Sequence, residues 1–203
     1  MAETSGSSQL RFFGKIWGTK QDYYVVEATG DANAEGGEEE AGSEAGEEGP
    51  GADAEARGTG VNKFSYYVAQ DSMSKWTRLP DLNPSDIAAS RKIKVVFTGD
   101  LNRPIYTNPF FFGQEKHYLR AQIARIIHST TLLPRSLWKE DEENPREIVA
   151  AEPLEGEEEV DIPTTMQMTH SSMWVHANPN ILVNCLTEHK DAEAPADGEE
   201  EFD

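Results

Sequence analysis

Three glutamate-rich stretches set the first limit on what this chain can fold into. Residues 31–60 carry ten acids against Arg57, residues 139–161 carry eleven against Lys139 and Arg146, and residues 190–203 carry seven against Lys190. Their net charges of −9, −9 and −6 exceed the −19 of the whole 203-residue chain, which leaves +5 for everything else. The first stretch is mostly Gly, Ala and Glu. Such a composition cannot bury enough apolar surface to offset the ~1–2 kcal/mol per residue that backbone ordering costs. A Glu/Ala helix is the competing expectation there, but the interleaved glycines oppose it. The acidic stretches are therefore expected to be disordered, and the foldable remainder to be small and mildly basic.

Between those stretches the sequence predicts a short list of elements. Arg11–Ala28 is rich in aromatic and β-branched residues on both sides of Gly18-Thr19-Lys20-Gln21, which reads as a β-hairpin, with Gly14 available for a bulge. Lys63–Gln70 reads as a third strand, so the acidic insert loops out between neighbouring strands at a closure cost that grows only slowly with length. Asn83-Pro84-Ser85-Asp86 marks a helix start, with Asn83 as N-cap and the helix running to about Ser90 or Arg91. Lys94–Leu101 reads as a strand ending at Gly99-Asp100. Arg103–Gly113, with Pro104 and Pro109, reads as an extended, irregular link.

Lys116–Pro134 fits two periods. Leu119, Ile123, Ile126 and Ile127 suit a helix, while Leu119, Ala121 and Ile123 also alternate as in a strand. The strand-rich reading is preferred here, with the helix as the alternative. The expected fold class is α+β: an aromatic-rich, mostly antiparallel β-sheet with few short helices, interrupted by disordered acidic inserts. The expected organisation is a flexible lead-in over 1–10, a core over 11–138 with an insert at 30–60, an acidic linker at 139–161, a docking segment at 162–189 and a disordered tail at 190–203.

Chemistry-bearing patterns are missing from the sequence. It has no phosphate-cradling glycine loop, no nucleophile elbow and no kinase signature. The five histidines (His117, His128, His170, His176, His189) and the single Cys185 match no zinc spacing. Solvated glutamates cannot be fixed and tuned as general acids or bases, and Asp22, Asp81, Asp86 and Asp100 fall in predicted turns or caps. No catalytic residue, metal or cofactor is expected. Acidic runs repel phosphate, and Arg91–Lys94 (RKIK) is read as an exposed face, so no nucleic-acid partner is expected. No apolar run approaches the ~20 residues that span a bilayer, so no membrane partner is expected either. A lone cysteine and no apolar leader suggest a cytoplasmic or cytoskeletal setting.

The aromatic residues are the informative feature. Neighbours on a strand point to opposite faces, so Tyr23-Tyr24 and Tyr66-Tyr67 cannot both face one core. Either the sheet is sandwiched against a partner or the domain has two internal faces. Phe110-Phe111-Phe112, in an irregular segment, is the best interface candidate. The full candidate partner interface is Phe110, Phe111, Phe112, Tyr24, Tyr67, Trp138 and Trp174.

Five blocks in fixed order carry a resemblance: FFGKIWGTKQDYYVVEA, GTGVNKFSYYV, WTRLPDLNPSDIAASRKIKVVFTGDLNRPI, FFFGQEKHYLRAQIARI and WVHANPNIL. From about Arg11 to Val183, apart from the acidic inserts, the sequence resembles the radial spoke head protein 4/6 family of motile cilia. The resemblance implies a structural subunit of the axonemal radial spoke head. It would assemble with a paralogous partner of the same type, a radial spoke head protein 9 type subunit and a MORN-repeat spoke head protein. It would also meet the central apparatus and help relay signals toward the dynein arms. No catalysis is attributed to the family, so no catalytic residue carries over. Family members usually have a longer helical region before the first hairpin, and Pro-Trp and Leu-Trp-Pro-Gly segments after the WVH block. These are missing here, so the resemblance covers part of the family length. The second reading, an acidic chaperone-like binder of basic proteins such as histones, explains the glutamate runs but not the aromatic blocks.

Overall fold

A computed structural model describes residues 9–29, 54–71, 73–144, 147–153, 160 and 162–188. The expectations for residues 1–8, 30–53, 154–159 and 190–203 lie outside the described residues.

The predicted hairpin forms. Strand β1 (Gln9–Ile16) pairs antiparallel with β2 (Tyr23–Thr29), and the register slips between Phe12 and Gly14 as the glycine suggested. Strand β3 (Ser65–Ala69) adds to β2, and the two-residue β4 (Thr77–Arg78) adds to β3, giving the order β1-β2-β3-β4. The insert thus leaves and rejoins between adjacent strands. Alternation places Tyr23, Val25, Tyr66 and Val68 on one face, where they are buried with Leu79.

Helix α1 (Pro84–Lys92) starts where predicted, with Pro84 at its first position. Helix α2 (Glu115–Thr130) corrects the preferred strand reading of 116–134; only β5 (Leu132–Pro134) is extended there. The physical reason is position. Helix α2 lies at the centre of the fold: Leu119, Ile123 and Ile127 pack on the sheet, Ala121 and Ala124 pack with Ile87 of α1, and Tyr118 meets Ile105 and Phe111. A helix contacted on several sides has no single apolar stripe, so its period is blurred.

The strand expected at 94–101 is also corrected. That segment is extended but joins no ladder. Its backbone serves the hairpin tip instead: the Thr19 amide donates to Phe97 O at 2.8 Å, and the Lys20 and Gln21 amides to Thr98 O at 3.1 and 3.2 Å. Gly99 turns the chain at φ +95°, and a Cβ there would lie 2.5 Å from the Gln21 carbonyl oxygen. The approach needs glycine.

Two acidic boundaries move as well. Within the expected insert, residues 54–60 are described, and Glu55 is buried. Its carboxylate accepts the Val61 amide at 2.7 Å and the Thr187 amide and hydroxyl at 2.7 and 2.6 Å. Three hydrogen-bonding groups offset burial of that charge, which composition alone could not reveal. The expected linker at 139–161 begins as a hairpin, with β6 (Trp138–Glu140) antiparallel to β7 (Ile148–Ala150). Strand β8 (Trp174–His176) pairs with β5, and Cys185 and Ile181 join the α1–α2 cluster, so part of the docking segment packs on the core.

One carboxylate ties these parts together. Glu115, the first residue of α2, is fully buried. Its Oε1 accepts the Tyr23 hydroxyl at 2.9 Å and the Thr98 and Gly99 amides at 2.7 and 3.0 Å, while Oε2 accepts the Thr98 hydroxyl at 2.8 Å and pairs with Arg103 at 3.0 Å. Burial, with the neighbouring carboxylate, pushes the Tyr23 phenol well above its ordinary pKa. Replacing Glu115 with Gln puts an amide NH2 against donors. It should cost about 2–4 kcal/mol, read as a lower urea midpoint together with faster amide exchange at Thr98 and Gly99.

Asp86, in the first turn of α1, is buried with a hydrogen bond from the Asn83 backbone as its only opposing support, and burial pushes its pKa to about 6 from 3.8. A carboxyl whose folded pKa is raised binds its proton more tightly in the folded state. Stability should fall as pH rises from about 4 to about 6 and stay lowered above that. The substitution Asp86→Asn should therefore stabilise the fold by about 2 kcal/mol at pH 7.5 and by little at pH 4, measured by denaturation at both values.

Candidate partner-binding surface

The most exposed rings sit on the out-and-back loop from Arg103 to Gln114. Its base is closed by backbone bonds: Glu115 N to Arg103 O at 2.8 Å, Lys116 N to Leu101 O at 3.0 Å and Ile105 N to Gly113 O at 3.3 Å. Pro104 and Pro109 carry no amide donor and keep the loop out of regular structure. Extended backbone then alternates its side chains. Phe111 points inward and is 1% exposed; Phe110 and Phe112 point outward at 55% and 85%. The triple-ring expectation is corrected for Phe111, which is a core residue. It packs edge-to-face on Tyr118 at 5.8 Å and beside Ile93 and Ile105. The outward pair stack on each other at 4.6 Å, edge to face. Tyr106, on the same loop, is exposed and was not singled out from sequence.

At the loop's end the Gln114 amide donates to His117 Nδ1 at 3.1 Å, so that nitrogen is an acceptor. Burial, aided by the Lys116 charge, holds the His117 pKa below its ordinary value and keeps the acceptor available. The loop is thus fixed at its C-terminal end by a neutral imidazole as well as by Glu115.

The other named residues lie on different elements. Tyr24 and Tyr67 are half-buried on the face of the sheet opposite Tyr23 and Tyr66. The register lines up Phe12, Val26 and Tyr67 across β1, β2 and β3 on that face. Phe12 is exposed and was missed because the bulge shifts the apparent alternation of β1. Lys15 lies 4.2 Å from the Trp17 ring and 5.4 Å from that of Tyr24, and its ion pair with Asp22 at 2.7 Å raises its pKa and lowers that of Asp22. Trp138 is exposed on β6. Trp174 is half-buried on β8 and donates its indole N–H to Met168 O at 2.9 Å. The structure therefore separates the seven candidates into a loop pair, a sheet face, two strand tryptophans and one core residue.

Among the described residues no group of three His, Cys, Asp or Glu could hold a metal ion, and no helix is long and apolar enough to cross a membrane. Cys185 is buried and unpaired by disulfide.

The arrangement of aromatic blocks can now be set beside known proteins. A family model described as radial spokehead-like protein matches residues 1–203. The chain is 34% identical over 200 residues to flagellar radial spoke protein 4 of Chlamydomonas reinhardtii, covering 95% of this chain and 42% of that protein. It is 30% identical over 214 residues to human radial spoke head protein 4 homolog A, covering 90% of this chain and 29% of that protein. Mouse radial spoke head protein 6 homolog A is 36% identical over 156 residues, with 71% and 22% covered. The chain thus spans less than half the length of these relatives. With the family model matching end to end and the aromatic blocks of both the core and the exposed loop inside the matched span, this chain belongs to the radial spokehead-like protein family.

Proposed function

We propose that the chain is a non-catalytic structural subunit of the radial spoke head in motile cilia and flagella. The observation that carries the reading is the family match across all 203 residues, together with relatives named as radial spoke and radial spoke head proteins. In this reading the protein resides in the axoneme, a cytoskeletal structure. It assembles with a paralogous partner of its own type, a radial spoke head protein 9 type subunit and a MORN-repeat spoke head protein. Its contact with the central apparatus then helps pass signals to the dynein arms.

The fold supplies features such a role uses. Solvent-facing rings on a loop clamped at both ends give a preformed apolar contact, and preformed contacts lose little ordering entropy on binding. Phe110, Phe112 and Tyr106 face solvent, while Phe111 and Ile105 anchor their loop to the core.

Two measurements test the reading. A tagged chain expressed in a ciliated cell should localise along the axoneme, and the signal should vanish in cells lacking spoke heads; retention in their absence, or salt-sensitive capture of histones instead, would reject it. The double substitution Phe110→Ser with Phe112→Ser should leave the thermal midpoint nearly unchanged but reduce incorporation into spoke heads. By contrast Phe111→Ala should cost about 3–5 kcal/mol of stability, visible as a lower denaturation midpoint of the isolated chain.

A further inference from the structure

The folded carboxylates of this acidic protein are largely spent internally. Glu115 pairs with Arg103, Glu27 with Arg11, Asp22 with Lys15, and Asp81 with Arg57 and Arg78. Four cations are left together instead. Arg91 and Lys92 end α1, Lys94 begins the extended segment after it, and Arg125 reaches over from α2. All four line one open hollow of about 410 Å³. Through Arg91, Gln122 and Arg125 this hollow continues into a second one of about 450 Å³ toward Ser129 and Asn180. Among the described residues no carboxylate lines either hollow. Arg91 donates to the Ile181 and Leu182 carbonyls, and Arg125 to Ser90 O and Gln122 Oε1, so both guanidiniums are held in place by neutral acceptors.

Helix polarity accounts for part of this. Cations in the last turn of α1 offset the negative helix end, which covers Arg91 and Lys92. It does not cover Lys94 or Arg125, nor the exposed aliphatic side chains of Val96 and Ile126 that border the same groove.

We infer that this groove between α1, residues 92–96 and α2 is a docking site for a glutamate-rich, extended segment of a second polypeptide chain. Carboxylates would meet Arg91, Lys92, Lys94 and Arg125, and an aliphatic residue would rest on Val96 or Ile126. Charge complementarity favours an acidic occupant, because the field within about 10 Å of the groove is set by these four cations despite the chain's net charge. The lining favours a peptide over a polynucleotide: it offers aliphatic carbon but no exposed ring on which a base could stack, since Tyr118 is buried beneath it. The inference concerns the isolated chain and stands or falls separately from the axonemal assignment.

The test uses the full chain and a fluorescein-labelled peptide of about fifteen residues, rich in Glu with two Leu. Anisotropy should show saturable binding that weakens as salt rises. The exposed pair Lys92→Glu with Lys94→Glu should weaken it about tenfold or more. The same charge change at another exposed lysine pair, Lys20→Glu with Lys75→Glu, should alter it less than about twofold, with circular dichroism confirming that both variants are folded. Absence of binding, equal loss in the two variants, or tighter binding of a single-stranded oligonucleotide of equal length would overturn the site. Carbodiimide coupling of Lys92 or Lys94 to acids of the same chain, in place of the added peptide, would also overturn it by making the occupant internal.

Discussion

The fold hangs on a charge placed where charge is expensive. Glu115 is fully buried, and an ionised carboxylate taken from water costs several kcal/mol unless its lone pairs are met. Here both oxygens are met, by one phenol, one hydroxyl, two backbone amides and an arginine. The carboxylate also sits at the start of α2, where the exposed amides of a helix favour negative charge. Its partners come from β2, from the turn at 98–99 and from Arg103, so three remote segments are fixed relative to the central helix. The hairpin tip at Gly18–Gln21 leans on that same turn, and the aromatic loop starts four residues beyond it.

Glu115 is one of three such ties. Glu27 accepts the Tyr66 hydroxyl at 2.9 Å and pairs with Arg11 at 2.8 Å, and Glu55 links the turn at Gly60–Asn62 to Thr187. Arg120 adds a buried cation, lying 4.6 Å from the Tyr66 ring and donating to Val61 O at 2.7 Å; burial lowers its pKa. A chain with 37% hydrophobic residues has limited apolar area to define its fold. Polar networks met in most of their groups favour one arrangement among several compact ones, because an alternative leaves more buried groups unpaired.

This explains which features could be read from the residues. The hairpin, β3 and the start of α1 were legible because their signals are local: alternating rings around a glycine turn, or Asn-Pro ahead of Asp. Helix α2 was not, since its apolar residues serve three neighbours at once. The segment 94–101 looked like a strand because its side chains alternate, but backbone partners are a property of the whole fold. The buried glutamates were the least legible. Glu55 and Glu115 look like any solvated acid, and only the amides of residues 61, 98, 99 and 187 distinguish them. In the aromatic loop the triplet was visible, but which ring turned inward followed from where Tyr118 stood.

The same economy bears on the surface. Stacked phenylalanines in water invite aggregation, and a chain that shows Phe110 and Phe112 benefits from an opposing force. Net charge far from zero supplies one by mutual repulsion between molecules, and −19 on 203 residues is ample. In the sequence the three glutamate-rich stretches hold the negative charge, while the remaining chain is +5 and turns Asp22, Glu27 and Glu115 toward its own cations. Repulsion acts over the whole molecule at a distance, whereas close contact is governed by the rings and cations of the folded part. That division separates a long-range repulsion set by net charge from the short-range contacts that Phe110 and Phe112 can make.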